Sequence, residues 1–237
     1  ESTTVTTLLR QLVTTSTLYV AAQSREKVTE HIASSLIDLA ENAMAGSDNQ
    51  LQFARLVPQF ARTKEQLNWL EEVVSGSRKL SGLEIDADIR WELLIGLATG
   101  NRLDATAIDA ELARDNTANG KKSAAACLAA ISTADAKRAA WTELTEKQEY
   151  SNTLINSASL AFGRTLDTAL LEPYVAKYME VAPQIWEQRS YQIASYLLTN
   201  LYPVQLANQE LAKATQTLID SEFAASRPAF RRILVEN

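Results

Sequence analysis

The chain is 237 residues long, 46% hydrophobic and 22% charged, enough apolar material for one large domain or two small ones. With 23 Lys+Arg against 29 Asp+Glu its net charge is −6, which argues against a protein that grips a nucleic-acid backbone. One Cys excludes an internal disulfide framework and a cysteine-based zinc site, and one His excludes a two-histidine zinc motif. Seven Gly and five Pro are too few for the turns of a sheet-rich domain, and the richness in Ala, Leu, Glu and Gln favours helix. No apolar run reaches the roughly 18 residues of a membrane span. The start, Glu1-Ser2-Thr3-Thr4-Val5, has neither an initiator Met nor a signal pattern, so the chain reads as cut from something longer. A single Cys is compatible with the cytoplasm.

In chain order, Val5, Leu8, Leu9, Leu12 and Val13 form the stripe of a half-buried helix, and Val28, Ile32, Leu36, Leu39 and Ala43 form the next. Gly46 closes the second helix, and Ser47/Asp48 caps a third that buries Leu51, Ala54, Val57 and Phe60. Pro58 kinks that helix or marks a break in it. Thr63-x-x-Gln66 is a capping box for a fourth helix. The loop at 75–84, with Gly76 and Gly82, is the best internal boundary, though it is too short to define two domains. A fifth helix runs from about Asp86 to Thr99 and ends at Gly100-Asn101. Asp104 and Asn116/Thr117 open the next two, and Ser132-x-x-Asp135 reads as a second capping box. A ninth helix spans about Ser151 to Phe162, and Ser226 with Pro228 opens the last. About thirteen short helices on short loops, pairing roughly every 35–45 residues, predict an all-α fold. The expected architecture is a curved α-solenoid of HEAT-like antiparallel helix pairs, one domain over 1–237.

Conventional chemistry is sparse. His31 has no second His to share a metal, and Cys127 lies on an Ala-rich stripe typical of a core. Asp86 and Asp88, two apart on a helix, do not face each other and suit helix-start capping. Gly120-Lys121-Lys122 is a solvated helix start. Trp69, Trp91, Trp141 and Trp186 are spread along the chain and suit wedges between helix pairs.

Several strings occur together in order: Gly46-Ser47-Asp48-Asn49-Gln50-Leu51, Asp86-Ala87-Asp88-Ile89-Arg90-Trp91, and Ile108 to Asp115 followed by Thr117-x-x-Gly120. Then come Thr133 to Lys137 with Trp141, Leu171-Glu172-Pro173-Tyr174-Val175 with Tyr178, Trp186-x-x-Arg189, and Leu201-Tyr202-Pro203. This collinear set resembles the C-terminal helical domain of actinobacterial-type zinc aminopeptidase N, the endoplasmic-reticulum-aminopeptidase-1-like C-terminal domain. The resemblance covers nearly the whole chain, although no single string is specific. It implies a non-catalytic domain excised from a larger zinc aminopeptidase, one that covers the active-site cavity and helps hold the peptide whose N-terminal residue is removed. It implies zinc in the parent's catalytic domain and no cofactor here. It carries no catalytic residue and no metal ligand onto this chain. The implied partners are the catalytic domain of the same polypeptide and peptide substrates, with no nucleic acid and no membrane span. The alternative is a stand-alone HEAT-like protein-interaction scaffold.

The candidate peptide contacts are Asp88, Arg90 and Trp91 at the start of the fifth helix, with Arg189 and Tyr191 on a long helix after Pro183. Arg supplies a planar fork for a peptide carboxylate, and Trp and Tyr supply rigid contact area with a polar handle. The competing reading pairs Arg90 with Asp86 one helical turn away and buries Trp91 between helices.

Overall fold

The structure is a computed structural model that describes residues 2–237, with side chains from residue 3 onward. Among the described residues 76% are helical, there is no strand, and thirteen of fourteen α-helices have seven or more residues. The chain divides into two compact units, Glu1–Gly120 and Lys121–Asn237, with the boundary in the first turn of α7 (Ala118–Ala130). The loop before Asp86 lies inside the first unit. No helix among the described residues is long and apolar enough to cross a membrane.

The first unit holds α1 (Ser2–Leu18), α2 (Ala22–Asn42), α3 (Asp48–Phe60), α4 (Lys64–Ser75), α5 (Ala87–Thr99) and α6 (Ala105–Arg114). Helix α2 packs on α3 and α4, and α5 packs on α3 and α4. Contacts to the next and the next-but-one helix are what stacked helical hairpins make. The core face of α2 runs through Ile32, Ala33, Leu36 and Ala40. Leu39, expected on that face, is exposed, because the small side chains of Ala33 and Ala40 fill it instead. Ser47 caps α3 by accepting from the Gln50 amide, and Pro58 sits in the last turn of α3. At Thr63 the full capping box forms: its hydroxyl accepts from the Gln66 amide, and the Gln66 side chain accepts from the Thr63 amide.

The second unit holds most of α7, then α8 (Ala134–Thr145), α9 (Asn152–Phe162), α10 (Pro173–Gln188), α11 (Tyr191–Asn200), α12 (Gln209–Ile219), α13 (Glu222–Ala225) and α14 (Pro228–Glu236). Short 3-10 turns at Thr168–Leu171 and Val204–Leu206 lead into and out of the α10–α11 pair. Helix α9 packs on α8 and α11, and α14 packs on α11 and α12. Three local expectations shift. The cap of α8 is Thr133, which accepts from the Ala136 amide, while the Ser132 hydroxyl accepts instead from the Leu166 amide. Pro183 lies within α10, and Arg189 and Tyr191 do not share a helix: Arg189 terminates α10 and Ser190 caps α11. Ser226 ends α13, and Pro228 opens α14 behind an Arg227 that offers no side-chain cap.

Candidate functional site

The N-terminus of α5 is fixed by Asp86, whose carboxylate accepts from the Ile89 amide at 2.8 Å. This occupies Asp86 as a cap, and Arg90 reaches elsewhere. Its Nε and Nη2 donate to the two carboxylate oxygens of Glu111 on α6 at 2.7 and 2.9 Å, and its Nη1 donates to the Val74 carbonyl at 2.6 Å. This is a bidentate fork closed on the protein itself. The Arg90 hydrogen bonds hold the Glu111 carboxyl below its ordinary range. Trp91 is 2% exposed, and its Nε1 donates to the Asp115 carboxylate at 2.8 Å. Asp115 also accepts from the Thr117 hydroxyl at 2.8 Å, and the two bonds lower its pKa. Thr117 in turn accepts from the Gly120 amide at 3.0 Å. A β-carbon on Gly120 would lie 1.9 Å from the Asp115 carbonyl oxygen, so only glycine fits. The strings around Arg90-Trp91 and Glu111 to Gly120 are therefore two sides of one clamp that hangs α6 and the following turn on α5.

The other strings resolve in the same way. Gly46 has φ +73°, its amide donates to the Gln50 side chain, and the Gln50 Nε2 donates to the Ala40 carbonyl at 3.2 Å. Trp141, Phe162 and Tyr174 form a trio with ring centroids 5.0–5.7 Å apart. Tyr178 donates to the Leu198 carbonyl at 2.7 Å and packs edge-on against Tyr202. Trp186 packs edge-on against the buried Phe230. The Arg189 guanidinium donates to the Thr145 and Lys147 carbonyls, closing the C-terminal end of α8.

Of the five candidate contacts, Arg90, Trp91 and Arg189 thus direct their donors into the fold. Asp88 is exposed in the first turn of α5, and Tyr191 is 57% exposed, with its ring edge-on to Trp186 at 5.7 Å. Asp88, Arg90 and Trp91 belong to the first unit and Arg189 and Tyr191 to the second.

The first unit also carries a groove of about 690 Å³ between α2 and α4 that the motif reading missed. Five carboxylates line it: Glu30, Asp38, Glu41, Glu65 and Glu72, against Lys27 and Arg78. Arg78 is neutralised by Glu41 and Glu72 at 2.6 and 2.8 Å, and Glu41 also accepts from the Trp69 indole at 2.9 Å. The signal was present as a charge stripe, Glu30, Asp38 and Glu41 on one face of α2 with Glu65 and Glu72 seven apart on α4. Among the described residues, no group of three or more His, Cys, Asp or Glu side chains is arranged to hold a metal ion.

The chain is 32% identical over 233 residues to an aminopeptidase N of Streptomyces lividans, an alignment covering 98% of this chain. The chain spans only 27% of that relative's length. Residues 1–237, the whole of this chain, match the ERAP1-like C-terminal domain, and the chain belongs to that family.

Proposed function

We propose that this chain is the non-catalytic C-terminal domain of a zinc-dependent aminopeptidase N, covering the active-site cavity and holding the body of the peptide while another domain removes its N-terminal residue. The observation that carries the reading is the alignment with an aminopeptidase N over 98% of the chain but only 27% of the relative. In such a polypeptide the zinc and the general base belong to the catalytic domain, and this domain contributes surface. Peptide contacts fall to exposed groups, and Asp88 and Tyr191 are the two of the five candidates that are exposed. The stand-alone scaffold reading shares the helix pairing but gives no reason for a match to an aminopeptidase N over 98% of the chain. The single, buried Cys127 suits a reducing compartment, and our reading for the parent enzyme is the cytoplasm.

Kinetics of the intact polypeptide test the proposal. Asp88→Asn and Tyr191→Ala should each raise KM for a ten-residue peptide several-fold and leave a single-residue chromogenic substrate unchanged, because only the long substrate extends beyond the catalytic domain. Equal effects on both substrates, or none on either, would refute peptide holding by these residues.

A further inference from the structure

Among the described residues, α1 buries no apolar side chain. Val5, Leu9, Leu12 and Val13 are half-buried, Leu8 and Leu18 are 57% and 53% exposed, and the one buried side chain is Ser16. Helix α5, by contrast, buries Ile89, Trp91, Leu93, Leu94 and Leu97. On α1 the residues Thr4, Leu8, Gln11, Thr15 and Leu18 are all exposed, and their alternating spacing of four and three puts them on one face. That is the spacing of a seam on which a second helix packs. None of the five is charged, and Arg10 is the one charged residue in the α1 sequence. A helix face left to water carries charged and polar residues, and this one carries two exposed leucines.

Composition adds a second argument. Seven of the 17 residues of α1 are Thr and two are Val, β-branched types with low helix propensity. Such a helix is held by tertiary packing. The packing it has comes from α2 and α3, with the Thr6 hydroxyl donating to the Gln52 side chain of α3 at 2.8 Å. Elsewhere in the first unit helices have partners on both sides in chain order: α3 packs on α1 and α2 before it and α5 after it, and α4 packs on α2 before it and α5 after it. The place left open at α1 is that of a preceding helix. An end helix that closes a stack presents a polar outer face, which α1 does not.

Resting on the reading of this chain as the C-terminal part of a longer aminopeptidase N, we propose that the face Thr4, Leu8, Gln11, Thr15 and Leu18 docks the helix that comes immediately before α1 in the parent polypeptide. The length of chain outside these residues supports that occupant. The chain spans 27% of the relative it aligns with, and its family is a C-terminal domain, so on that reading most of the remaining polypeptide lies before Glu1. The segment nearest in sequence reaches α1 at the smallest loop-closure cost.

The experiment uses the intact polypeptide with the photo-crosslinking residue p-benzoylphenylalanine in place of Leu8 or, in a second sample, of Leu18, irradiated, digested and read by mass spectrometry. Crosslinks should run within one molecule to the stretch of about 40 residues before Glu1, the length of a helical-hairpin repeat. Crosslinks to any other segment, a product of twice the mass that marks a second copy, or no product above that from the same residue in place of Thr217, exposed on α12, would overturn the docking. In the same polypeptide Leu8→Glu should speed amide exchange along α1 about tenfold relative to α5, because a charge enters a packed seam. Unchanged exchange would mean a face left to water and would also overturn the docking. Aminopeptidase activity separates the two readings: the crosslink without activity refutes the enzyme reading alone, and activity without the crosslink refutes the docking alone.

Discussion

Replacing Glu111 with Gln tests the clamp that hangs α6 on α5. The wild-type pair makes two charge-assisted bonds, with the Arg90 and Glu111 side chains 22% and 11% exposed. Gln keeps the shape but has one acceptor oxygen, so one guanidinium N–H then faces an amide N–H. A bond to a charged group contributes about 1.5–3 kcal/mol, and partial access of water to Arg90 lowers the loss to about 2 kcal/mol. Over a unit the size of Glu1–Gly120 that corresponds to a fall in Tm of roughly 4–10 °C. Denaturant unfolding gives the free energy, and amide exchange along Ala105–Arg114 locates it. The pH dependence provides a second check. The folded pKa of Glu111 lies below its ordinary 4.5, so the pair's contribution is complete above that value and is lost as pH falls through the folded one. The gap between wild type and Glu111→Gln should close in acid. A difference under about 0.5 kcal/mol at neutral pH, the usual range for surface changes, would refute the clamp.

Two further substitutions probe the same reasoning. Gly120→Ala places a methyl group 1.9 Å from the Asp115 carbonyl oxygen, and a backbone neighbour yields poorly, so urea unfolding should show a loss of about 2–3 kcal/mol. Tyr178→Phe removes the bond to the Leu198 carbonyl but leaves that oxygen the Asn237 side chain at 2.9 Å, so its cost should stay near 1 kcal/mol by the same measurement.

The helices were legible in the sequence because local rules place them. Ser47, Thr63, Asp86 and Asp104 lie where capping chemistry requires. The α8 cap lies one residue later than read, because Ser132 and Thr133 are both capping residue types and the Ser132 hydroxyl accepts instead from the Leu166 amide, 34 residues away. The site was less legible for the same reason. Arg90 and Trp91 have the right chemistry for a ligand, and their partners Glu111 and Asp115 stand 21 and 24 residues later, a relation that helical periodicity does not encode. Lys137 illustrates the limit from the other side: its buried amine donates to the Ala129, Phe162 and Arg164 carbonyls, and backbone carbonyls, which every residue possesses, leave no side-chain pattern to mark the contact.

The central proposal is that this chain holds peptides and leaves their cleavage to another domain. It is tested most directly by incubating the purified chain with zinc and a ten-residue peptide, then measuring binding by calorimetry and the peptide's N-terminus by mass spectrometry in the same sample. The account predicts saturable binding with the N-terminal residue intact. Chelator-sensitive release of that residue, or no binding at any peptide concentration up to about 1 mM, where the binding free energy is only about 4 kcal/mol, would contradict it.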